Sequence, residues 1–254
     1  MVALPAVRSA VRALGRLSRA ASMSVLLLAF GAAANVVLFA VSDAVMFRPF
    51  PFAAQDRLVI AAEQRPGAPR AEVSYANYRD WRTRARTFDD LAAMGSTNWT
   101  FTWRTNDPVA VAYRAVSANF FDVLGAHAAL GRTFAPDDDA RGAARVVVIS
   151  DGFWRRQFVA DLRVIGRAVT LSERPFTIIG VMPRGFTYPA GADAWAPLVP
   201  QLADIWLPSL PNFVDDRNAA VLHVVGRLKT GVALQAARDD LDRVIPQSID
   251  ARGL

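Results

Sequence analysis

Cysteine is absent from all 254 residues. That absence excludes disulfides, thiolate metal sites, iron–sulfur clusters and cysteine nucleophiles, and it leaves the redox compartment open. Histidine is scarce. His127 and His223 stand far apart in the chain, so no zinc-ligand spacing exists. Lysine occurs once, as Lys229, and the rest of the 29 basic residues are arginine. This is a composition bias and not a binding signature. A phosphate-binding loop needs a lysine behind a glycine-rich turn. Gly226-Arg227-Leu228-Lys229-Thr230-Gly231 lacks the first glycine at the required distance, so the chain is not itself an ATPase. There is no Gly-x-Ser-x-Gly elbow, and Ser150 before Asp151-Gly152 reads as a helix cap. Asp137, Asp138 and Asp139 lack the alternating ligands and later glutamate of a calcium loop and read as a solvated acidic turn. Asn98-Trp99-Thr100 fits a glycosylation acceptor, a three-residue pattern common by chance.

What is present is apolar and basic. Hydrophobic residues make up 53% and charged residues 20%, which excludes intrinsic disorder. The net charge of +6 is unevenly spread. Residues 1–22 hold Arg8, Arg12, Arg16 and Arg19 and no acid. On a helical wheel these arginines fall within about 80°, opposite Val7, Val11, Leu14 and Leu17. The segment reads as a basic amphipathic helix for an anionic membrane surface, with an unstructured basic leader as the alternative. Residues 23–46 follow with few polar side chains. As a helix they would span about 36 Å, enough for a bilayer core of about 30 Å. Residues 23–46 are therefore expected to form a transmembrane helix. Asp43 lies near its end, within reach of headgroups. Gly31 and Asn35 form a possible helix-packing face or are merely tolerated. The run is longer than a signal-peptide core and lacks a good small-x-small cleavage site. Four arginines before the span and Arg48 after it place the N-terminus in the cytoplasm and the remainder outside.

Residues 48–254 carry 25 basic and 22 acidic groups, a nearly balanced remainder able to bury a substantial core. Arg48-Pro49-Phe50-Pro51-Phe52 is a stiff exit from the membrane. A strand is expected over 57–63. A helix capped by Ser74 is expected to run to about Met94, burying Tyr75, Tyr78, Trp81, Ala85, Phe88 and Leu91. This aromatic stripe reads as core, with nucleic-acid stacking the minor reading. Paired strands are expected over 97–104 and 109–116, and a short helix over 117–124 closed by Gly125. A buried strand over 145–149 and a helix over 151–159 follow. A hairpin joins 167–171 to 176–182, and 195–198 is short and extended. Residues 197–211 read as a proline-rich loop, 221–228 as a strand, and 232–245 as an amphipathic helix with Leu234, Ala237, Leu241 and Val244 on one side. The irregular interleaving of strands and helices implies an α+β fold.

Several of these stretches, in this order, resemble MacB-like/FtsX-like ABC transporter permeases. The membrane exit carries Phe39-Ala40-Val41-Ser42-Asp43-Ala44-Val45-Met46-Phe47-Arg48-Pro49-Phe50-Pro51-Phe52. Then come Val73-Ser74-Tyr75-Ala76-Asn77-Tyr78-Arg79-Asp80-Trp81-Arg82 and Val116-Ser117-Ala118-Asn119-Phe120-Phe121-Asp122-Val123-Leu124-Gly125. Leu130-Gly131-Arg132-Thr133-Phe134, Val146-Val147-Val148-Ile149-Ser150 and Ile179-Gly180-Val181-Met182-Pro183 complete the set. The resemblance covers roughly residues 25–250. It implies a cytoplasmic segment over 1–22, the membrane helix over 23–46, and a MacB-like periplasmic core domain over 47–254. A porter-like part would take about 48–126 and 217–254, and a β-rich sabre-like part about 127–216. It further implies an inner-membrane protein with no catalytic residues and no cofactor. Its partners would be a cytoplasmic ABC ATPase subunit, the membrane, and other permease helices or a second permease copy, and not nucleic acid. Function would be mechanical coupling of the ATPase to transport or envelope work. Two departures stand out. Gly31-Ala32-Ala33-Ala34-Asn35 replaces a glycine-rich turn, and the chain ends at Leu254 where the family continues into further membrane helices, so a fragment is expected. The alternative reading is a signal-anchored periplasmic enzyme or binding protein.

Overall fold

The structure is a computed structural model that describes residues 23–24, 27–33, 54–65, 68–96, 99–103, 109–171, 173–201, 215–245 and 250–253. The chain divides into two compact units, 1–49 and 50–254. In the first, residues 23–24 and 27–33 are helical, and their side chains are exposed. Among the described residues, nothing beyond its own helix lies within 4 Å of where a Cβ on Gly31 would sit. Asn35, Arg8, Arg12, Arg16, Arg19 and most of the expected span over 23–46 lie outside the described residues. Among the described residues no helix is long and apolar enough to cross a membrane.

The second unit contains strands β1 (Leu58–Arg65), β2 (Ala68–Ala71), β3 (Val73–Ser74), β4 (Phe88–Gly95), β5 (Trp99–Trp103), β6 (Val109–Val116) and β7 (Leu130–Gly131). After these come β8 (Val146–Ile149), β9 (Ala168–Leu171), β10 (Arg174–Val181), β11 (Ala194–Pro197), β12 (Ala220–Leu228) and β13 (Asp250–Gly253). Its helices are α1 (Tyr75–Arg84), α2 (Phe120–Leu124), α3 (Asp151–Phe158), α4 (Leu198–Gln201) and α5 (Leu234–Val244). The architecture is α+β.

Two strand assemblies share this unit. The first is an antiparallel sheet in the order β4-β12-β1-β13. Side chains alternate across a strand. On one face Val59, Ala61, Leu91, Ala93, Val224 and Leu228 meet Tyr78 and Trp81 of α1 and Ala237 and Leu241 of α5. On the other, Leu58, Ala92, Met94 and Val225 meet α2 through Phe120, Phe121 and Leu124. The second assembly is a closed ring, β5-β6-β11-β8-β10-β9 and back to β5. Its β6–β11 and β8–β10 pairs are parallel and the others antiparallel. Val111, Tyr113, Val147, Ile149, Phe176, Ile178, Ala194 and Ala196 from its strands join one continuous core. Met94 opposite Val116 links the ring to the sheet.

Several sequence expectations hold. Ser74 caps α1 by accepting from the Asn77 N–H at 3.2 Å, and Ser150 caps α3 by accepting from the Phe153 N–H at 3.1 Å. Gly125 closes α2 in the left-handed conformation at φ 67°. Strands β5 and β6 pair antiparallel, as do β9 and β10. One expected element is replaced by another. The helix expected to reach Met94 ends at Arg84, and Phe88–Gly95 is a central strand. Phe88 and Leu91 are buried, but on a sheet. The spacing fits either element, and pairing with both β12 and β6 decided it. The expected loop over 197–211 begins with a helical turn, Leu198–Gln201, and residues 202–211 lie outside the described residues.

Candidate functional site

Helix α1 organises two polar networks. The first lies between α1, β1 and residue 217. Glu63 is only 3% exposed. Its carboxylate accepts from the Ser74 N–H at 3.1 Å and from Asn77 Nδ2 at 2.6 Å. Arg217 Nη1 donates to Asn77 Oδ1 at 2.5 Å and its Nη2 to Asp80 Oδ2 at 2.6 Å. A buried acid with two donors on it is held in place, because leaving either partner unmatched carries a desolvation penalty.

The second network runs from α1 to β4, the turn before α2, and the turn over Pro136–Asp139. Arg82 Nε and Nη2 donate to the two oxygens of Asp90 at 3.0 and 3.3 Å. Asn119 Nδ2 donates to Asp90 at 2.6 Å and to the Leu91 carbonyl at 2.8 Å. Ser117 Oγ donates to Asn119 Oδ1 at 2.7 Å and accepts from the Ala93 N–H at 2.9 Å. Tyr78 donates its hydroxyl to the Leu91 carbonyl at 3.3 Å, and burial pushes that phenol up to about 12. Beside this network lies a cleft of about 230 Å³ lined by Tyr75, Arg82, Asn119, Asp122, Phe134 and Asp139.

The turn over Pro136–Asp139 departs from a solvated acidic cluster. Asp137 is exposed, while Asp138 binds Arg132 at 2.5 Å. Burial would raise the Asp138 carboxyl, but Arg132 and the Ala135 N–H hold it below the ordinary carboxylate value. Asp139 turns inward and accepts from the Ala118 N–H at 3.1 Å and the Val199 N–H at 2.7 Å.

A third contact fixes the end of α1. Asp240 on α5 is 3% exposed and accepts from the Arg86 and Thr87 N–H groups at 2.6 and 2.9 Å. Desolvation acts to raise its carboxyl, but these donors together with Thr87 Oγ1 and Arg243 outweigh it and lower it. His127 and His223 are exposed and belong to none of these groups. Sequence reasoning missed Glu63, Asp139, Arg217 and Asp240 as structural anchors. Each is a charged residue with a partner at least 11 positions away, beyond the reach of local spacing. The arrangement locks helices to strands; among the described residues its polar groups bind one another and no three acidic or imidazole side chains gather as a metal site.

The family model for the MacB-like periplasmic core domain matches residues 21–244. A macrolide export ATP-binding/permease protein MacB from Neisseria meningitidis is 30% identical over 138 residues, covering 48% of this chain and 21% of that protein. Its counterpart from Neisseria gonorrhoeae is 34% identical over 107 residues, covering 41% and 16%. The match thus spans about a fifth of the length of these curated relatives. The periplasmic region of MacB from Actinobacillus actinomycetemcomitans superposes with a TM-score of 0.59 at 15% identity, over 78% of this chain and 88% of that one. The extracellular domain of the noncanonic ABC-type transporter YknZ from Gram-positive bacteria gives 0.58 at 13%, over 77% and 99%. At such identities the likeness concerns the fold alone. With the family match running almost the full length, the chain belongs to the MacB-like periplasmic core domain family.

Proposed function

We propose that this chain is the extracytoplasmic core of an ABC-type permease and transmits the cycle of a cytoplasmic ATPase by moving as a body. The observation that carries the reading is where the family match begins. It starts at residue 21, so it takes in the apolar stretch over 23–46 as well as the folded unit behind it. That stretch is the membrane helix, with Arg8, Arg12, Arg16 and Arg19 on its cytoplasmic side and residues 47–254 outside. Gly31 and Asn35 face other permease helices or those of a second copy. These 254 residues hold no nucleotide-binding loop, and the reading assigns ATP hydrolysis to a cytoplasmic ABC ATPase.

Mechanical transmission is supported by how the unit is braced. The porter-like part over 48–126 and 217–254 supplies the sheet β4-β12-β1-β13, and the sabre-like part over 127–216 supplies β7 to β11. The strand ring takes members from both, the Glu63 and Asp90 contacts tie α1 to the sheet, and Asp240 ties α5 to the turn between α1 and β4. The β6–β11 and β5–β9 pairings of the ring are the route by which a push on one part reaches the other.

The missing cysteines make the test direct. Arg12→Cys and Ala236→Cys each introduce a single thiol, the second at an exposed position on α5. In intact cells a membrane-impermeant maleimide is expected to label Ala236→Cys and spare Arg12→Cys. Labelling of Arg12→Cys alone would sink the proposed topology.

A further inference from the structure

The cleft beside the second network collects the charges that the networks leave over. Tyr75 and Arg82 line it from α1, Asp122 from α2, and Phe134 and Asp139 from the chain around the acidic turn. The guanidiniums around it are each matched by an acid. Arg82 is held on both oxygens of Asp90, Arg132 is held by Asp138, and Arg79 faces Asp215 at 3.5 Å. Among the described residues neither Asp122 nor Asp139 makes an ion pair. Asp122 is exposed, and Asp139 takes N–H donors from Ala118 and Val199. Burial penalises the Asp139 charge, and the amides and Arg82 offset that penalty only in part. The Tyr75 hydroxyl has no hydrogen-bond partner among the described residues. Burial, and next the Asp139 charge, push that phenol above the ordinary 10, against Arg79 and Arg82.

Spare negative charge, aromatic walls and an open hydroxyl acceptor together suit an ammonium ligand. An anion finds no free guanidinium, because Arg82 is engaged by Asp90. A divalent metal finds too few ligands, since among the described residues no three acidic or imidazole side chains gather. The cleft of about 230 Å³ falls short of the about 300–1,000 Å³ that drug-sized ligands occupy, so its ligand is slender. We propose that the cleft binds an aliphatic diamine, one ammonium between Asp139 and the Tyr75 hydroxyl, the other on Asp122, and the methylenes against Tyr75 and Phe134. Bound there, the diamine ties α1 and α2 to the acidic turn. All of these groups lie in the folded unit behind residue 50, so the site does not depend on the membrane segment.

Isothermal titration of the full chain in non-ionic detergent micelles, at pH 8 and low salt, tests the site with 1,4-diaminobutane and 1-aminobutane as probes. The diamine is expected to bind saturably, one per chain. It should bind about fivefold more tightly than the monoamine, the gain of one partly exposed ion pair. Asp122→Asn is expected to erase that difference, so that both probes bind alike. Tyr75→Phe is expected to weaken both by about threefold through loss of the hydroxyl acceptor. Asp242→Asn, on α5 and outside the cleft, is expected to change neither. No saturable binding of the diamine by the wild-type chain overturns the proposal. So does a diamine preference that survives Asp122→Asn, and so does displacement of the diamine by an equal concentration of Mg²⁺, the mark of general charge attraction.

Discussion

Asp240 accepts two hydrogen bonds from Thr87, from the backbone N–H at 2.9 Å and from Oγ1 at 2.8 Å, across 153 residues of sequence. This contact sits where α1 has ended and β4 is about to begin. It gives the turn over 86–87 its backbone partners and fixes the direction in which the chain enters the sheet. Asp240→Ala removes the acceptor of two part-buried N–H groups. Each such loss costs about 1–3 kcal/mol. In a unit of this size that lowers Tm by roughly 5–10 °C, measured by thermal unfolding.

The same residue sets a pH dependence. Its carboxyl is depressed in the folded state, so its stabilisation is complete above the ordinary value of 3.8 and is lost as pH falls through the folded value. Wild-type stability is expected to drop on acidification below pH 4 more steeply than that of Asp240→Asn. Parallel acid-unfolding curves for the two proteins would contradict this.

Glu63 is the buried acid of the other α1 network. Glu63→Ala strands the Ser74 N–H and the Asn77 amide and is expected to cost about 2–3 kcal/mol in urea unfolding. Arg217→Ala removes donors from a side chain that is half exposed and is expected to cost about 1 kcal/mol or less. Equal losses would mean that Arg217, and not Glu63, is the centre of the network.

Gly226 lies opposite Leu91 in the β12–β4 ladder. A Cβ there would stand 2.6 Å from Phe88 Cδ1 and 2.7 Å from Leu91 Cδ2. Gly226→Ala is therefore expected to destabilise by about 1–3 kcal/mol through overpacking. The check is a shift of the urea midpoint with no change in slope.

Val159 follows α3 in the left-handed conformation at φ 50°, with 88% of its surface exposed. A β-branched residue is strained there, and its side chain returns little packing. Val159→Gly is expected to raise stability by up to about 1 kcal/mol, seen as a higher Tm. A lower Tm would show that the Val159 side chain contributes more than its exposure suggests.

Much of the fold was legible because its signals are local. Ser74 and Ser150 are caps followed by N–H groups three residues on, and Gly125 marks a left-handed stop. Strands β5, β6, β9 and β10 alternate and are joined by turn residues. Helix α5 shows its buried Ala237 and Leu241 in the sequence spacing. The segment over 85–95 was not legible. Phe88 and Leu91 are three apart and continue the period of Tyr78 and Trp81, and no residue between them breaks a helix. The acceptor for the turn at residues 86 and 87, just past α1, is Asp240, which sequence places on another helix altogether. The acidic turn misled for a similar reason. Three consecutive aspartates look solvated, yet Asp139 is drawn inward by the amides of Ala118 and Val199.

The sequence by itself determined composition, charge placement and the local elements. No cysteine, one lysine and two separated histidines remove most site chemistry, and four arginines stand ahead of an apolar run. These depend only on residue identity and on spacings of a few positions. Tertiary structure alone decided that Phe88–Gly95 is a strand, that six strands close into a ring, and which acids are anchors. Those outcomes depend on backbone partners and burial supplied by distant parts of the chain. A carboxylate placed between amides from residues 118 and 199 differs from a solvated one only after the chain has folded around it.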